Sequence, residues 1–159
     1  MEAPSVERRL AAIFAADVEG YSRLMGRDEV GTLRTLTAYR GITDRLITSH
    51  RGRIFNTGGD SLGADFASAV AAVQCAIAVQ EAIAKENTEK PADEQMRFRI
   101  GVHVGDSIVH GDNLFGDAVN VAARLEALAE SGGICISAAV REHIGTNVTS
   151  GSSISAPSR

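Results

Sequence analysis

Two aspartates stand where an acidic side chain is unusual. Asp17 falls in the apolar run Leu-Ala-Ala-Ile-Phe-Ala-Ala-Asp-Val, residues 10–18, which has the length of a central strand, although a buried helix has the same pattern. An ionised carboxylate buried there without a partner is strongly disfavoured, so Asp17 needs one. Asp60 follows the Gly58-Gly59 pair of residues 53–62, whose composition is typical of a tight hairpin. We therefore expect Asp60 just past a sharp turn.

These residue types suit phosphoryl chemistry. Two carboxylates can share a pair of divalent cations, which stabilise the attacking and leaving oxygens. The structural alternative is a salt-bridged Asp17 and a turn-forming Asp60. Asn120 and Arg124 lie four residues apart on a predicted helix and so share a face. An amide can hold a sugar oxygen while a guanidinium binds phosphate oxygens, but a solvated helix face would contain the same pair.

The elements that must position these residues follow from hydrophobic periodicity. After the first strand, one short and one long helix lie between Tyr21 and about His50, with Gly26 and Gly31 as interruptions. The hairpin follows, then a helix over 68–85 and a polar surface loop over 86–94. An alternating strand at 96–104, a turn-rich connection at 109–115, a helix at 116–128 and a short strand at 134–137 complete the order.

Composition limits the class of protein. A chain of 159 residues with 44% hydrophobic residues is expected to form one domain without a disulfide or a metal staple, and Cys75 and Cys135 to be buried free thiols. The net charge of −4 has the wrong sign for a non-specific nucleic-acid or anionic-membrane binder. No apolar run has the length of a membrane span and the first residues do not resemble a signal peptide, so a cytoplasmic location is expected.

Three motifs are arranged in a recognisable order. They are Phe-Ala-Ala-Asp-Val-Glu-Gly-Tyr-Ser at 14–22, Thr-Gly-Gly-Asp at 57–60 and Phe-Gly-Asp-Ala-Val-Asn-Val-Ala-Ala-Arg at 115–124. At these intervals they closely resemble the class III nucleotide cyclase catalytic domain, in its bacterial adenylate cyclase branch. The resemblance covers about residues 8–145. It implies an α+β, ferredoxin-like domain of βαββαβ order, active as a head-to-tail homodimer with sites at the interface.

The resemblance also implies roles for individual residues. Asp17 and Asp60 match the two metal-binding aspartates, which hold two divalent cations (Mg²⁺ or Mn²⁺), and the backbone around Val18 lies where the triphosphate is cradled. Asn120 matches the residue that orients the ribose, and Arg124 the one that stabilises charge at the reacting phosphate. The implied reaction converts ATP to 3′,5′-cyclic AMP and pyrophosphate in intracellular signalling, with the aspartates from one protomer and the Asn and Arg from the other.

Two positions that read the base depart from the adenine-specific pattern. Relatives usually have a Lys four residues before the second metal Asp and an Asp or Thr seven before the ribose Asn, where this chain has Asn56 and Asn113. A carboxamide is both donor and acceptor, so selection between adenine and guanine should be weakened or reversed. A guanylate or relaxed-specificity cyclase is therefore an alternative.

The end of the chain departs from the family as well. Relatives have further strands with a lysine that binds the triphosphate, whereas only Lys85 and Lys90 occur here. A Ser-rich segment at 146–159 stands in that region and is expected to be disordered. We therefore expect a C-terminally shortened catalytic domain. The non-enzymatic alternative is a degenerate cyclase homology domain that binds nucleotide or dimerises.

Overall fold

The structure is a computed structural model that describes residues 7–145 and 154–157. Its sheet has the strand order β2-β3-β1-β4-β6-β7, with β5 paired to β4. The elements in chain order are β1 (Glu7–Val18), α1 (Tyr21–Arg27), α2 (Glu29–Ser49), β2 (Arg53–Gly58), β3 (Ser61–Phe66), α3 (Ala69–Asn87), a 3₁₀ turn (Ala92–Glu94), β4 (Phe98–His110), β5 (Asn113–Phe115), α4 (Asp117–Leu128), β6 (Ile134–Ile136), α5 (Ala138–Ile144) and β7 (Ile154–Ser155).

Strand β1 lies in the centre of this sheet. It pairs antiparallel with β4 from Glu7 opposite Val109 to Val18 opposite Phe98, and with β3 on its other side. Its side chains alternate between two apolar layers. Phe14 packs in the main core with α2 and α3, whereas Ile13 packs towards α4. Both faces are covered, which explains the unbroken apolar run and confirms a strand rather than a buried helix.

The expected α+β fold is confirmed, and three short elements are added to it. The predicted turn-rich connection at 109–115 is wrong, because β4 runs on to His110 and forms a hairpin with β5 around Gly111, whose φ is +63°. Helix α5 was not expected from the sequence. Strand β7 pairs parallel with β6, so the expectation of disorder is wrong for Ile154 and Ser155. Residues 146–153 and 158–159 of that segment lie outside the described residues.

The two helices after β1 separate at Asp28. Its extended backbone ends α1, and its carboxylate accepts a hydrogen bond of 3.0 Å from the N–H of Gly31, which caps α2. Gly26 and Gly31 both lie within helices, so their expected role as interruptions is wrong. The helix boundary depends on the capping carboxylate rather than on glycine.

The stretch expected as a surface loop at 86–94 begins inside the core. Asn87 ends α3 and is buried; its Oδ1 accepts a hydrogen bond from the Tyr39 hydroxyl, and its Nδ2 donates to the Met96 carbonyl at 2.8 Å. This side chain joins α2, α3 and the segment that enters β4. Cys75 and Cys135 are buried free thiols, as expected.

Helix α4 packs unusually closely on β4. A Cβ atom added to Gly101 would lie 2.3 Å from the backbone nitrogen of Glu126 and 2.4 Å from the carbonyl oxygen of Ala122. Only glycine allows the helix backbone to approach the strand this closely. Gly101 therefore sets the position of the helix that carries Asn120 and Arg124.

Candidate active site

The hairpin β2–β3 brings Asp60 to the end of β1. The chain turns at Gly59, whose φ is +56°, and at Asp60 itself. Asp60 thus lies within the turn, not just past it as predicted. Its Oδ2 accepts a hydrogen bond of 3.0 Å from the N–H of Val18. The two predicted metal-binding aspartates are therefore neighbours, because Val18 directly follows Asp17.

Asp17 is paired with Arg99 of strand β4. The two residues lie opposite each other in the antiparallel register. Arg99 donates from Nε to Oδ1 at 3.0 Å and from a terminal nitrogen to Oδ2 at 2.7 Å. This two-bond pair is short and directional. The sequence indicated that Asp17 needs a partner, but nothing in it identified Arg99 as that partner.

Glu126 of α4 completes the charged cluster. Its side chain is only 12% exposed, and its Oε2 lies 3.9 Å from the Arg99 guanidinium. Burial, and then the charge and hydrogen bonding of Asp17, raise the pKa of Glu126 to about 8. Sequence analysis did not identify Glu126 as a site residue. Its position two residues after Arg124, on the helix that carries the predicted site residues, could have indicated it.

The donor set fits a divalent cation. Asp17 and Asp60 offer carboxylate oxygens, the ligands that Mg²⁺ and Mn²⁺ prefer. Within residues 7–145 and 154–157, no group of three or more His, Cys, Asp or Glu side chains is arranged to hold a metal ion. Magnesium is commonly bound by one or two carboxylates together with substrate phosphates and water, so two aspartates suffice for a shared site of this kind.

Asn120 and Arg124 form a second group, on the exposed side of α4. The Arg124 side chain is 69% exposed, and the nearest opposite charge is Asp117 at 3.7 Å. In the described part of the chain, neither residue makes a hydrogen bond or ion pair with Asp17 or Asp60. The predicted site residues of one chain are therefore separated into two groups.

The two candidate base-reading residues lie on neighbouring elements. Asn56 is exposed on β2, beside an irregularity in its pairing with β3, and lines a cleft of about 140 Å³ with Val119 and Glu126. Asn113 begins β5, and its Oδ1 accepts a hydrogen bond of 2.9 Å from the N–H of Leu114. Arg53 ties β2 to the β4–β5 turn by donating to a carbonyl there. Asn56 therefore faces α4 across this cleft, and Arg53 holds its strand beside the hairpin that carries Asn113.

The backbone near Val18 has fewer free donors than the resemblance implied. The N–H of Val18 donates to Asp60, and the N–H of Glu19 donates to the carbonyl of Arg97 at 2.9 Å. Binding of a triphosphate by this segment therefore depends on the amides that follow Glu19, or on rearrangement of the Asp60 contact. The role of Val18 stays a prediction.

The fold and the motifs define a class of protein, and comparison with known proteins agrees with it. The sequence profile of the adenylate and guanylate cyclase catalytic domain matches residues 5–154. This chain belongs to that family. A crystal structure of an adenylate/guanylate cyclase/hydrolase from Silicibacter pomeroyi superimposes with a TM-score of 0.85 at 43% identity, and covers 91% of this chain and 85% of that one.

Two further proteins show the range of the similarity. The protein named "Putative adenylate cyclase 3" of Rhizobium meliloti is 48% identical over 145 residues, which are 91% of this chain and 25% of that protein. The chain thus spans a quarter of the length of this relative. The adenylyl cyclase CyaB of P. aeruginosa, at 22% identity, covers 91% of this chain and 85% of that one with a TM-score of 0.81, which supports the fold. No helix in the described residues is long and apolar enough to cross a membrane.

Proposed function

We propose that this domain is an adenylate cyclase, which converts ATP to 3′,5′-cyclic AMP and pyrophosphate at the interface of a homodimer. The observation that carries the proposal is the separation of the site residues. Asp17 and Asp60 meet at the end of β1, while Asn120 and Arg124 are exposed on α4 and make no hydrogen bond or ion pair with them in the described residues. Two copies placed head to tail would bring the aspartates of one to the Asn and Arg of the other. Such a dimer is closed and symmetric.

The chemistry of the proposed reaction requires no covalent nucleophile. The ribose 3′-hydroxyl attacks the α-phosphate and pyrophosphate leaves, so the protein must position reactants and compensate charge. Asp17 and Asp60 would hold two divalent cations, which supply charge neutralisation at the phosphates. Asn120 would hold the ribose oxygen, and the exposed Arg124 guanidinium would bind phosphate oxygens in a forked arrangement.

Substitution of the aspartates tests the metal assignment. Asp60→Asn keeps an oxygen that can accept from the Val18 N–H but removes the negative charge. Cyclic AMP formation with Mn²⁺ or Mg²⁺ should fall by at least about 100-fold, with an unchanged melting temperature. Asp44→Asn, at a 48% exposed carboxylate on α2, is the matched control and should keep wild-type activity. Wild-type turnover by Asp60→Asn or Asp17→Asn would refute the metal assignment.

A mixing experiment tests the shared site. Asp17→Asn and Arg124→Ala should each be inactive alone, but a mixed dimer contains one complete site, so mixing should restore about a quarter of wild-type activity. No recovery between two folded, dimerising variants would contradict a site built from two copies. Nucleotide binding without any cyclic product from the wild type would favour the degenerate, nucleotide-binding alternative.

A guanylate or relaxed-specificity cyclase is the second candidate. It is favoured by Asn56 and Asn113, two carboxamides that can present a donor or an acceptor to either purine. ATP and GTP should be offered in one assay, and both cyclic products should be measured. A strong preference for ATP would exclude this candidate, whereas a GTP preference would replace the leading one.

A further inference from the structure

We infer that Arg99 is a positioning residue, which acts as an internal counter-charge for Asp17 and competes with the cation for that carboxylate. The inference rests on the proposed metal site and adds to it the group that keeps the site ordered before a cation binds. Arg99 donates two hydrogen bonds, one to each oxygen of Asp17, at 3.0 and 2.7 Å. A cation that binds Asp17 must therefore share or displace a guanidinium.

The surroundings make such a counter-charge necessary. Asp17, Asp60 and Glu126 place three carboxyl groups near one end of β1, where Asp60 bonds to the N–H of Val18 and the Glu126 carboxyl lies 3.9 Å from Arg99. The Asp17 side chain is only 18% exposed, so water compensates its negative charge poorly. Arg99 is the cation that contacts both Asp17 and Glu126 within the described residues.

The same geometry offers Arg99 a second partner. Its terminal nitrogen is 2.7 Å from Asp17 and 3.9 Å from the Glu126 carboxylate. When a cation occupies Asp17, a shift of little more than 1 Å would bring the guanidinium within hydrogen-bond distance of a Glu126 carboxyl oxygen. Arg99 would thus remain in the site after it releases Asp17.

Replacement of Arg99 should lower the stability of the metal-free protein and raise its affinity for a divalent cation. Arg99→Gln leaves the partly buried Asp17 carboxylate without its counter-charge, so the metal-free protein should melt at a lower temperature. The same variant removes the positive charge that is bonded to both oxygens of Asp17, so Mn²⁺ should bind roughly tenfold more tightly. A purely structural Arg99 would lower the melting temperature without strengthening Mn²⁺ binding.

The measurement is Mn²⁺ binding by electron paramagnetic resonance, with melting curves in EDTA and in Mn²⁺. Arg9→Gln is the matched control, because Arg9 pairs at 2.7 Å with Asp65, a carboxylate 8% exposed. Arg9 lies eight residues before Asp17 on the same strand, about 26 Å away. This control should lose stability and keep wild-type Mn²⁺ affinity. Unchanged or weaker Mn²⁺ binding by a folded Arg99→Gln variant would overturn the inference.

The wild-type protein provides a test that needs no variant to fold. The Arg99 Nε–H resonance should be protected from exchange in EDTA, because it is bonded to Asp17, and should shift and lose protection when Mg²⁺ is added. A resonance unchanged by saturating Mg²⁺ would overturn the inference. If the wild type binds neither Mn²⁺ nor Mg²⁺, the proposed metal site itself fails, which is a different outcome from binding that Arg99 does not influence.

Discussion

The close approach of α4 to β4 gives a quantitative prediction for Gly101→Ala. The added methyl group would lie 2.3 and 2.4 Å from two backbone atoms of the helix, and ordinary contact begins near 3.4 Å. Backbone atoms cannot move aside as a flexible side chain can, so α4 must shift by about 1 Å. Overpacking of this kind costs about 2 to 3 kcal/mol, which for a domain of this size lowers the melting temperature by roughly 6 to 9 °C.

The shift should also reduce activity beyond the loss of stability. Asn120 and Arg124 move with α4, and a displacement of about 1 Å at reacting groups can cost roughly 100-fold in rate. Cyclic nucleotide formation should therefore be measured well below the melting temperature of the variant.

Gly41→Ala is the matched control for this prediction. Gly41 lies within α2, and an added Cβ would meet no atom within 4 Å. This substitution should raise stability by about 0.5 to 1 kcal/mol, because alanine favours the helix, and should leave activity unchanged. A Gly101→Ala variant that melts and turns over like the wild type would refute the reasoning about α4.

Three other substitutions test separate parts of the structure. Tyr39→Phe should lower the unfolding free energy by about 1 to 2 kcal/mol, because Asn87 loses a buried hydrogen bond, and denaturant melts will measure it. Arg124→Ala should keep wild-type stability, since the side chain is 69% exposed, yet lose at least about 100-fold in product formation. In EDTA, the unfolding free energy should fall as pH rises from 4.5 to about 8, because folded Glu126 holds a proton that the unfolded chain releases. Glu126→Gln should flatten this dependence on pH. The same slope in the wild type and the variant would contradict the raised pKa of Glu126.

Much of the fold was predictable because its signals are local. The apolar run of β1, the alternation in β4 and the helical period before Asn120 each lie within a few consecutive residues. The wrong predictions concern elements whose conformation depends on tertiary contacts. The β4–β5 hairpin continues past a stretch rich in turn residues, and Ile154 becomes a strand residue only because β6 offers an open edge. Asn87, polar and next to a loop, is buried because Tyr39 and the backbone of Met96 satisfy its amide.

The sequence by itself determined the residue types and spacing that point to a nucleotide cyclase domain, including Asp17, Asp60, Asn120 and Arg124. It also required a partner for Asp17, since an ionised carboxylate in an apolar strand is too costly alone. Only the tertiary structure decided that this partner is Arg99, which is 82 residues away and faces Asp17 through the β1–β4 register. The cluster with Glu126 likewise depends on how closely α4 packs on Gly101. Register and packing depend on the whole sheet, so no local pattern records them.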